Sequence, residues 1–428
     1  MALPPGPAQP AAWQALRWIV RPEAALLDAH ARLGDVFTLQ LPFGKRVIVA
    51  DPDAIKAIFT GDPDVFRAGE GNAPLEPVVG PSSILLLDGP AHLRQRRLLL
   101  PSFHGERLAR WTALMGQIAR ADVERWPRDR PLRLEDRTRA ITLEVILRVV
   151  FGIDEAARLE ELRALFRRLV PAGAGRMIAL LPPFRRDLGP LTPWRRFLET
   201  RARIDAILHD EIARRRADPG LAERDDVLSL LAATELTDRE LRDELMTLLL
   251  AGHETTAVAL AWTFALLFAD PPAHARVVAA VRDDDVAAGD ALLDSLIAET
   301  LRLRPPLPAV VRRLSRPATV AGYELPAGTS VAPSIWLVHR RADLYPEPHD
   351  FRPERFLRRA PETYSWLPFG GGIRRCVGAT FAQTEMRVVL RALLERVDLA
   401  PAGPPITRSQ RRAIVLAPPG GTPALVTR

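Results

Sequence analysis

Cysteine, lysine and tyrosine are nearly absent from this chain of 428 residues. The one cysteine, Cys376, excludes an internal disulfide and a multi-cysteine zinc site. A lone thiol points to a reducing compartment, so a cytoplasmic location is expected. Lys45 and Lys56 are the only lysines; every other basic residue, of 59 Lys and Arg in all, is arginine. The arginines are scattered among 52 acids, so the net charge of +7 does not read as a nucleic-acid surface. A basic patch that meets an acidic protein is compatible with it. The opening Met1-Ala-Leu-Pro-Pro-Gly-Pro lacks a basic stretch followed by an apolar one, and no signal peptide is expected. No uninterrupted apolar run spans a bilayer. The longest, Leu245–Ala269, carries His253 and Glu254 at mid-depth and reads as a buried helix of a soluble protein.

What is present is ordinary for a globular protein: 47% hydrophobic and 26% charged residues, enough chain to bury a large core. After a Pro-rich opening, a short helix is expected around residues 13–30. Runs at Val36–Leu41 and Arg46–Ala50, joined by Pro42-Phe43-Gly44-Lys45, read as a hairpin. Helical period follows over Asp53–Phe59 and through most of residues 91–215. Residues 171–192, with Pro171, Pro182, Pro183 and Pro190, read as a mobile connection between helices. Thr237-Asp-Arg-Glu240 is a capping box. A helix running from it to Ala269 would be roughly 50 Å long. Further helices are expected at Leu292–Leu303 and at about residues 378–397, with short strands over 319–332. The reading is a single domain over 1–428, mainly α with a minor β part.

The densest chemistry lies in Pro368-Phe369-Gly370-Gly371-Gly372-Ile373-Arg374-Arg375-Cys376-Val377-Gly378. Cys376 stands just before an amphipathic helix, where free N–H groups and the dipole favour a thiolate. The glycines permit positive φ, and the two arginines add positive potential. An anionic sulfur is a good iron ligand. A Rossmann loop is excluded, because no G-x-x-G spacing follows.

The pattern Phe369-x-x-Gly372-x-Arg374-x-Cys376-x-Gly378 resembles, at every fixed position, the haem-binding signature of the cytochrome P450 family. Glu299-x-x-Arg302 and Phe351-Arg-Pro-Glu-Arg355-Phe356 are similar to two further motifs of that family, and Ala251-Gly252-His253-Glu254-Thr255-Thr256 to its oxygen-activating motif. The resemblance implies the cytochrome P450 fold, a triangular prism with a long central helix over the haem. It implies haem b with Cys376 as axial metal ligand and Phe369, Gly370 and Gly378 around it. Glu254 and Thr255 would be catalytic, relaying protons to bound oxygen, with small Ala251 and Gly252 letting the ring approach. His92, Arg96 and Arg312, or Arg313 in its place, would meet the haem propionates, and Arg374 would belong to the cofactor site beside the cysteine. Glu299, Arg302 and Arg355 would form a buried structural network. H-E-x-x-H zinc binding fails at Ala257.

Residues 67–87, the 171–192 stretch, Ala251, Ala309 and Val310 are the candidate walls of a substrate pocket. Their composition argues for a small lipophilic substrate such as a fatty acid, terpenoid or steroid. About fifty residues follow Cys376, too few for a flavin domain. Electrons are therefore expected from a separate ferredoxin or flavodoxin with its NAD(P)H reductase, docking on Arg96, Arg97, Arg374, Arg375 and Arg387. Activity is read as O2-dependent monooxygenation by a monomer. The alternatives are a peroxide-driven peroxygenase, which the Glu254-Thr255 pair argues against, and a non-catalytic haem-thiolate protein.

Overall fold

The computed structural model describes residues 3–42, 44–103, 105–153, 155–169, 185, 187, 189 and 192–427, so most of the 171–192 stretch lies outside the described residues. The expected first helix is two, Ala11–Val20 (α1) and Pro22–Leu33 (α2). The break is Arg21, held at φ −138° and ψ 65° because the following proline disfavours helical backbone there. Next come Pro52–Thr60 (α3), Gly89–Leu99 (α4), Glu106–Val123 (α5), Leu134–Phe151 (α6) and Pro193–Arg216 (α7).

The helix expected from the capping box is Asp238–Ala269 (α8), 32 residues and about 48 Å long. Thr237 and Glu240 cap it reciprocally as expected. It is the one helix among the described residues long and apolar enough to cross a membrane, and most of it is buried inside the protein. Helix Val286–Leu303 (α9) starts six residues earlier than its apolar period suggests, because the Asp285 side chain accepts from the Ala288 N–H and caps it. The last helix is Ala379–Arg396 (α10).

Strands Val36–Leu41 (β1), Gly44–Val49 (β2), Phe66–Arg67 (β3), Arg312–Leu314 (β4) and Ser330–Pro333 (β5) form a sheet in the order β1-β2-β5-β4-β3. The β2–β5 pair is parallel and the others antiparallel. Near the C-terminus, Gln410–Arg412 (β6) and Val415–Ala417 (β7) make a hairpin. It escaped the sequence reading because three-residue strands carry too little alternation to register.

One large core cluster joins α5, α6, α8, α9 and α10. The C-terminal half of α8 reaches the hairpin through Trp262, which packs on Val415 and Ala417 and donates from Nε1 to the Leu416 carbonyl at 2.8 Å. Arg304 covers the indole face, 4.7 Å from its centroid. Trp262→Phe keeps an aromatic ring, though a smaller one, and strands a buried carbonyl, so a loss of at least about 1–3 kcal/mol is expected in denaturant unfolding.

Candidate active site

The cysteine loop is fastened from below. Arg302 and Glu299, both fully buried on α9, pair through two bonds of 2.7 and 2.8 Å. Arg355 adds bonds of 3.0 and 3.1 Å to the two Glu299 oxygens. Arg302 also donates to the carbonyls of His339, Pro348 and Asp350, so it gathers the irregular chain that leads to the loop. Buried His339 extends the network. Its Nδ1 lies 3.0 Å from the Arg302 carbonyl, and its Nε2 accepts the Leu367 N–H at 2.7 Å. That acceptor role requires a neutral ring. Burial, with the Arg302 and Arg340 charges, pulls the imidazole down to about 3. Trp366 donates to the Ala298 carbonyl at 3.0 Å and stands edge-on to Phe369.

Above this base the loop turns sharply. Gly370 and Gly372 hold φ of +68° and +63°, and a Cβ on Gly372 would collide with the Phe59 carbonyl of α3. Gly371 has ordinary extended φ; its smallness makes room for the Phe59 ring, which a Cβ would approach to 2.5 Å. The Cys376 N–H donates to the Phe369 carbonyl at 3.0 Å. The Cys376 side chain is reachable by solvent, although protein packs closely enough around it for burial to act on the thiol. Burial pushes it up, while the Gly378 amide and the Arg375 and Arg96 charges pull the other way. The loop therefore tempers the cost of a thiolate without removing it, and a bound cation is what completes the stabilisation.

Beside the loop, His92 of α4, Arg312 of β4 and Arg374 lie around one acid, Asp88, and Arg96 of α4 lies between them and Cys376 in charge influence. Arg374 takes that acid at 2.5 Å and also donates to the carbonyls of Ile84 and Leu87. Arg312 is buried, donates to the Val311 carbonyl and lies over the Phe59 ring at 5.5 Å with no ion pair among the described residues, while Arg313 is exposed on the Glu70 side. Arg96 is half-buried with no hydrogen bond or ion pair among the described residues. Burial and the neighbouring Arg374 charge pull Arg312 to about 10, and burial with Arg374 and Arg96 pulls His92 to about 4. A buried surplus of cations is stable only against an anion. This donor set suits a group that brings two carboxylates.

The other wall is the middle of α8. From Leu241 to Leu267 every residue is buried except Leu250, Ala251, Gly252 and Thr255. Ala251 and Thr255 are one turn apart and open a window on an otherwise enclosed helix. Glu385 of α10, wholly buried, lies against Thr256, which brings the start of α10 and the cysteine loop to this level. Gly252 departs from its expected use: a Cβ there would stand 2.6 Å from Ile146 Cδ1, so its smallness serves the packing of α6 on α8.

Thr255 Oγ1 donates to the Ala251 carbonyl at 2.8 Å. Glu254 faces away from the window into a network with Arg139 of α6 at 3.0 Å and Arg412 of β6 at 2.7 Å. The same arginines hold Glu135. Burial favours the protonated Glu254, but the Arg139 and Arg412 charges together outweigh it and keep the carboxyl below its ordinary range. Thr138 and Thr142 donate to the Ala257 and His253 carbonyls at 3.0 Å. Thr138, Arg139 and Thr142 thus form one face of α6 that clamps this turn, legible in sequence only as helical spacing.

Ala309 and Val310 are half-buried after α9, and the Val310 Cγ1 lies 4.0 Å from where a Gly370 Cβ would be. Ile414, at the tip of the β6–β7 hairpin, is 40% exposed and carried no signal in the sequence. Of the expected basic face, Arg374 turns inward and Arg387 pairs with Asp294, because each has an acid in reach. Arg97 and Arg375 are exposed without an ion pair among the described residues.

A mostly helical protein with its one cysteine reachable by solvent in a glycine-rich turn, a window of small residues on its long helix and a surplus of cations around Asp88 has the parts to hold an anionic, metal-bearing prosthetic group by its sulfur. The cytochrome P450 family model matches residues 4–424. Cytochrome P450 135B1 of Mycobacterium tuberculosis is 43% identical over 431 residues, covering 98% of this chain and 90% of the relative. Cytochrome P450 137 of the same organism is 40% identical, covering 96% and 87%. Among solved structures, a retinoic acid-bound cyanobacterial CYP120A1 superposes with a TM-score of 0.85 at 23% identity, covering 100% of this chain and 99% of that one. The chain belongs to the cytochrome P450 family. It is a haem b monooxygenase, and Cys376, its one cysteine, supplies the axial thiolate.

Two outcomes follow from the base of the site. Glu299→Ala leaves Arg302 and Arg355 buried without their acid and costs about 3–5 kcal/mol, so the purified variant is expected to lack haem. A wild-type ratio of Soret to protein absorbance in that variant contradicts the role. Because the folded His339 resists protonation down to about 3 and an unfolded histidine titrates near 6.5, the unfolded state binds more protons between those values. Stability is therefore complete above about pH 6.5 and falls as the pH drops below it. Thermal midpoints measured from pH 7.5 to 4.5 should fall less steeply in His339→Gln than in the wild type.

Proposed function

We propose that the enzyme inserts one oxygen atom of O2 into a small lipophilic substrate in the cytoplasm, with electrons from a separate ferredoxin or flavodoxin and its NAD(P)H reductase. What supports this reading is that one chain carries both Cys376, reachable by solvent in its glycine turn, and the Ala251–Thr255 window on the otherwise buried α8. The haem, when bound, supplies oxygen activation and electron transfer, its thiolate favouring O–O cleavage. His92, Arg96, Arg312 and Arg374 would neutralise its two propionates. Phe369, Gly370 and Gly378 would shape the sulfur side.

Thr255 is suited to hold a water or an oxygen at the window, by turning its hydroxyl from the Ala251 carbonyl. Glu254 is suited to pass protons inward by exchanging Arg139 or Arg412 for water. Its ionised resting state fits a carrier that is reloaded from solvent. Ala251, Ala309, Val310 and Ile414 supply apolar walls. That the cyanobacterial structural neighbour is a retinoic acid complex supports a lipophilic substrate class. Exposed Arg97 and Arg375 are suited to an acidic electron carrier.

The test is turnover with NADH, a surrogate ferredoxin and its reductase. Thr255→Ala and Glu254→Gln should retain haem while the yield of oxygenated product per NADH falls about tenfold or more, the usual size of a lost proton-transfer group. Unchanged yield in both variants sinks the relay. Turnover with hydrogen peroxide alone, and none with NADH, would make the protein a peroxygenase.

A further inference from the structure

Helix α1 is apolar on all sides. Every residue from Ala11 to Val20 except Gln14 and Arg17 is alanine, valine, leucine, isoleucine or tryptophan. A helix of that composition is normally enclosed. Here only one side is. Gln14 and Trp18 are buried: the Gln14 Nε2 donates to the Pro7 and Gln9 carbonyls at 3.1 and 2.8 Å, and Trp18 enters the cluster of Leu26, Leu39, Ile48 and Leu416. On the opposite side Trp13, Leu16 and Val20, spaced at one and two turns, are 51%, 49% and 60% exposed, with Ile19 beside them. Leu27 of α2 is a further large apolar side chain left in solvent. Large side chains gathered on one exposed face mark a contact surface.

Charge of one sign frames the stripe. Glu23 and Asp28 of α2 pair with Arg304 and Arg17, and Asp35 after it with His30 and Arg341. Arg21, at the corner between the two helices, is exposed and has no side-chain hydrogen bond or ion pair among the described residues. Arg408 is likewise exposed and unpaired among them. It adjoins the same corner, because the next residue, Ser409, donates to Glu23 from its N–H and hydroxyl at 3.3 and 2.6 Å. Near the start of α1, Lys45 shares a shallow groove with Gln14 and Pro7, exposed and, among the described residues, unpaired. Cations therefore stand at both ends of the apolar stripe, and neither helix leaves an acid unpaired. This combination matches an anionic lipid surface. Apolar side chains enter the acyl boundary while the cations stay at the phosphates, and tryptophan favours that interface. At ten residues and about 15 Å, α1 is too short to cross a bilayer and suits lying in its plane. A second copy seated on the same face would oppose like charges.

We propose that the exposed face of α1, with Leu27, docks the enzyme peripherally on an anionic lipid bilayer, held by Arg21, Arg408 and Lys45. The contact is independent of which substrate the enzyme oxidises. Holoenzyme is sedimented with vesicles of phosphatidylcholine, alone or with about 30% phosphatidylglycerol, at about 50 and 500 mM salt. At low salt the wild type should bind the anionic vesicles at least about tenfold more tightly than the neutral ones, and high salt should remove that preference. Arg21→Gln/Arg408→Gln should lose about tenfold or more on the anionic vesicles, the worth of two cations at such a surface. Leu16→Ser/Val20→Ser should lose at least about tenfold as well, through the apolar surface it no longer buries. Both pairs are expected to keep the Soret band and a thermal midpoint within about 3 °C of wild type, because exposed positions contribute little to folding. No binding of wild type to anionic vesicles, or undiminished binding in either pair, overturns the proposal. Undiminished binding in the serine pair alone would make an acidic protein the occupant. Lipid-free dimers that the serine pair disperses would make the face a contact between copies and also overturn it. So would a midpoint lowered by more than about 5 °C in the serine pair, which would place the stripe in the core.

Discussion

The site depends on one buried carboxylate. Glu299 has no contact with solvent, and it is tolerable there because Arg302 and Arg355 neutralise it and the Arg352 N–H donates to it. That requirement organises everything beneath the haem. Arg302, fixed by Glu299, spends its remaining donors on three carbonyls of the irregular chain between β5 and the cysteine loop. His339 then carries the constraint to Leu367, two residues before Phe369. A chain without regular structure would not hold a sulfur in place by itself. Here it is held by a charge that has nowhere else to go.

The haem side and the oxygen side use charge in opposite ways. Around Asp88 the protein keeps more cations than acids, a strain that an anionic prosthetic group resolves. Around Glu254 the charges are matched: buried Glu254 and Glu135 meet Arg139 and Arg412, and the more exposed Asp136 lies 3.7 Å from Arg139. The first arrangement binds and the second waits. Such a closed network costs little at rest and can exchange one partner at a time.

Backbone geometry was legible wherever a local rule governs it. Thr237 and Glu240 announced the start of α8, and the glycines before Cys376 announced a turn. The reading ran short where the decisive neighbour is remote. The expected helix over 13–30 broke at Arg21 because of Pro22, and α9 began earlier because Asp285 caps it. Gly252 looked like room for a ring and proved to be room for Ile146, since a glycine's vacancy does not say what fills it. Arg139, Arg412 and His339 carried no motif. They act across 115, 158 and 28 residues of chain, on Glu254 and Leu367.

The sequence by itself determined the class of chemistry. A single cysteine among fixed glycines and arginines, an E-x-x-R pair and an acid–threonine pair on a capped apolar helix define what the protein can hold and activate, because these rest on residue type and short spacing. The tertiary structure decided how charges are shared. It turned Arg312 inward and Arg313 outward, and it gave Arg374 to Asp88 and Glu254 to two arginines. The physical reason is that an ion's energy is set by burial and by partners a few ångströms away in space. In a chain where nearly every cation is arginine, composition cannot say which ones are neutralised; only folding assigns the partners.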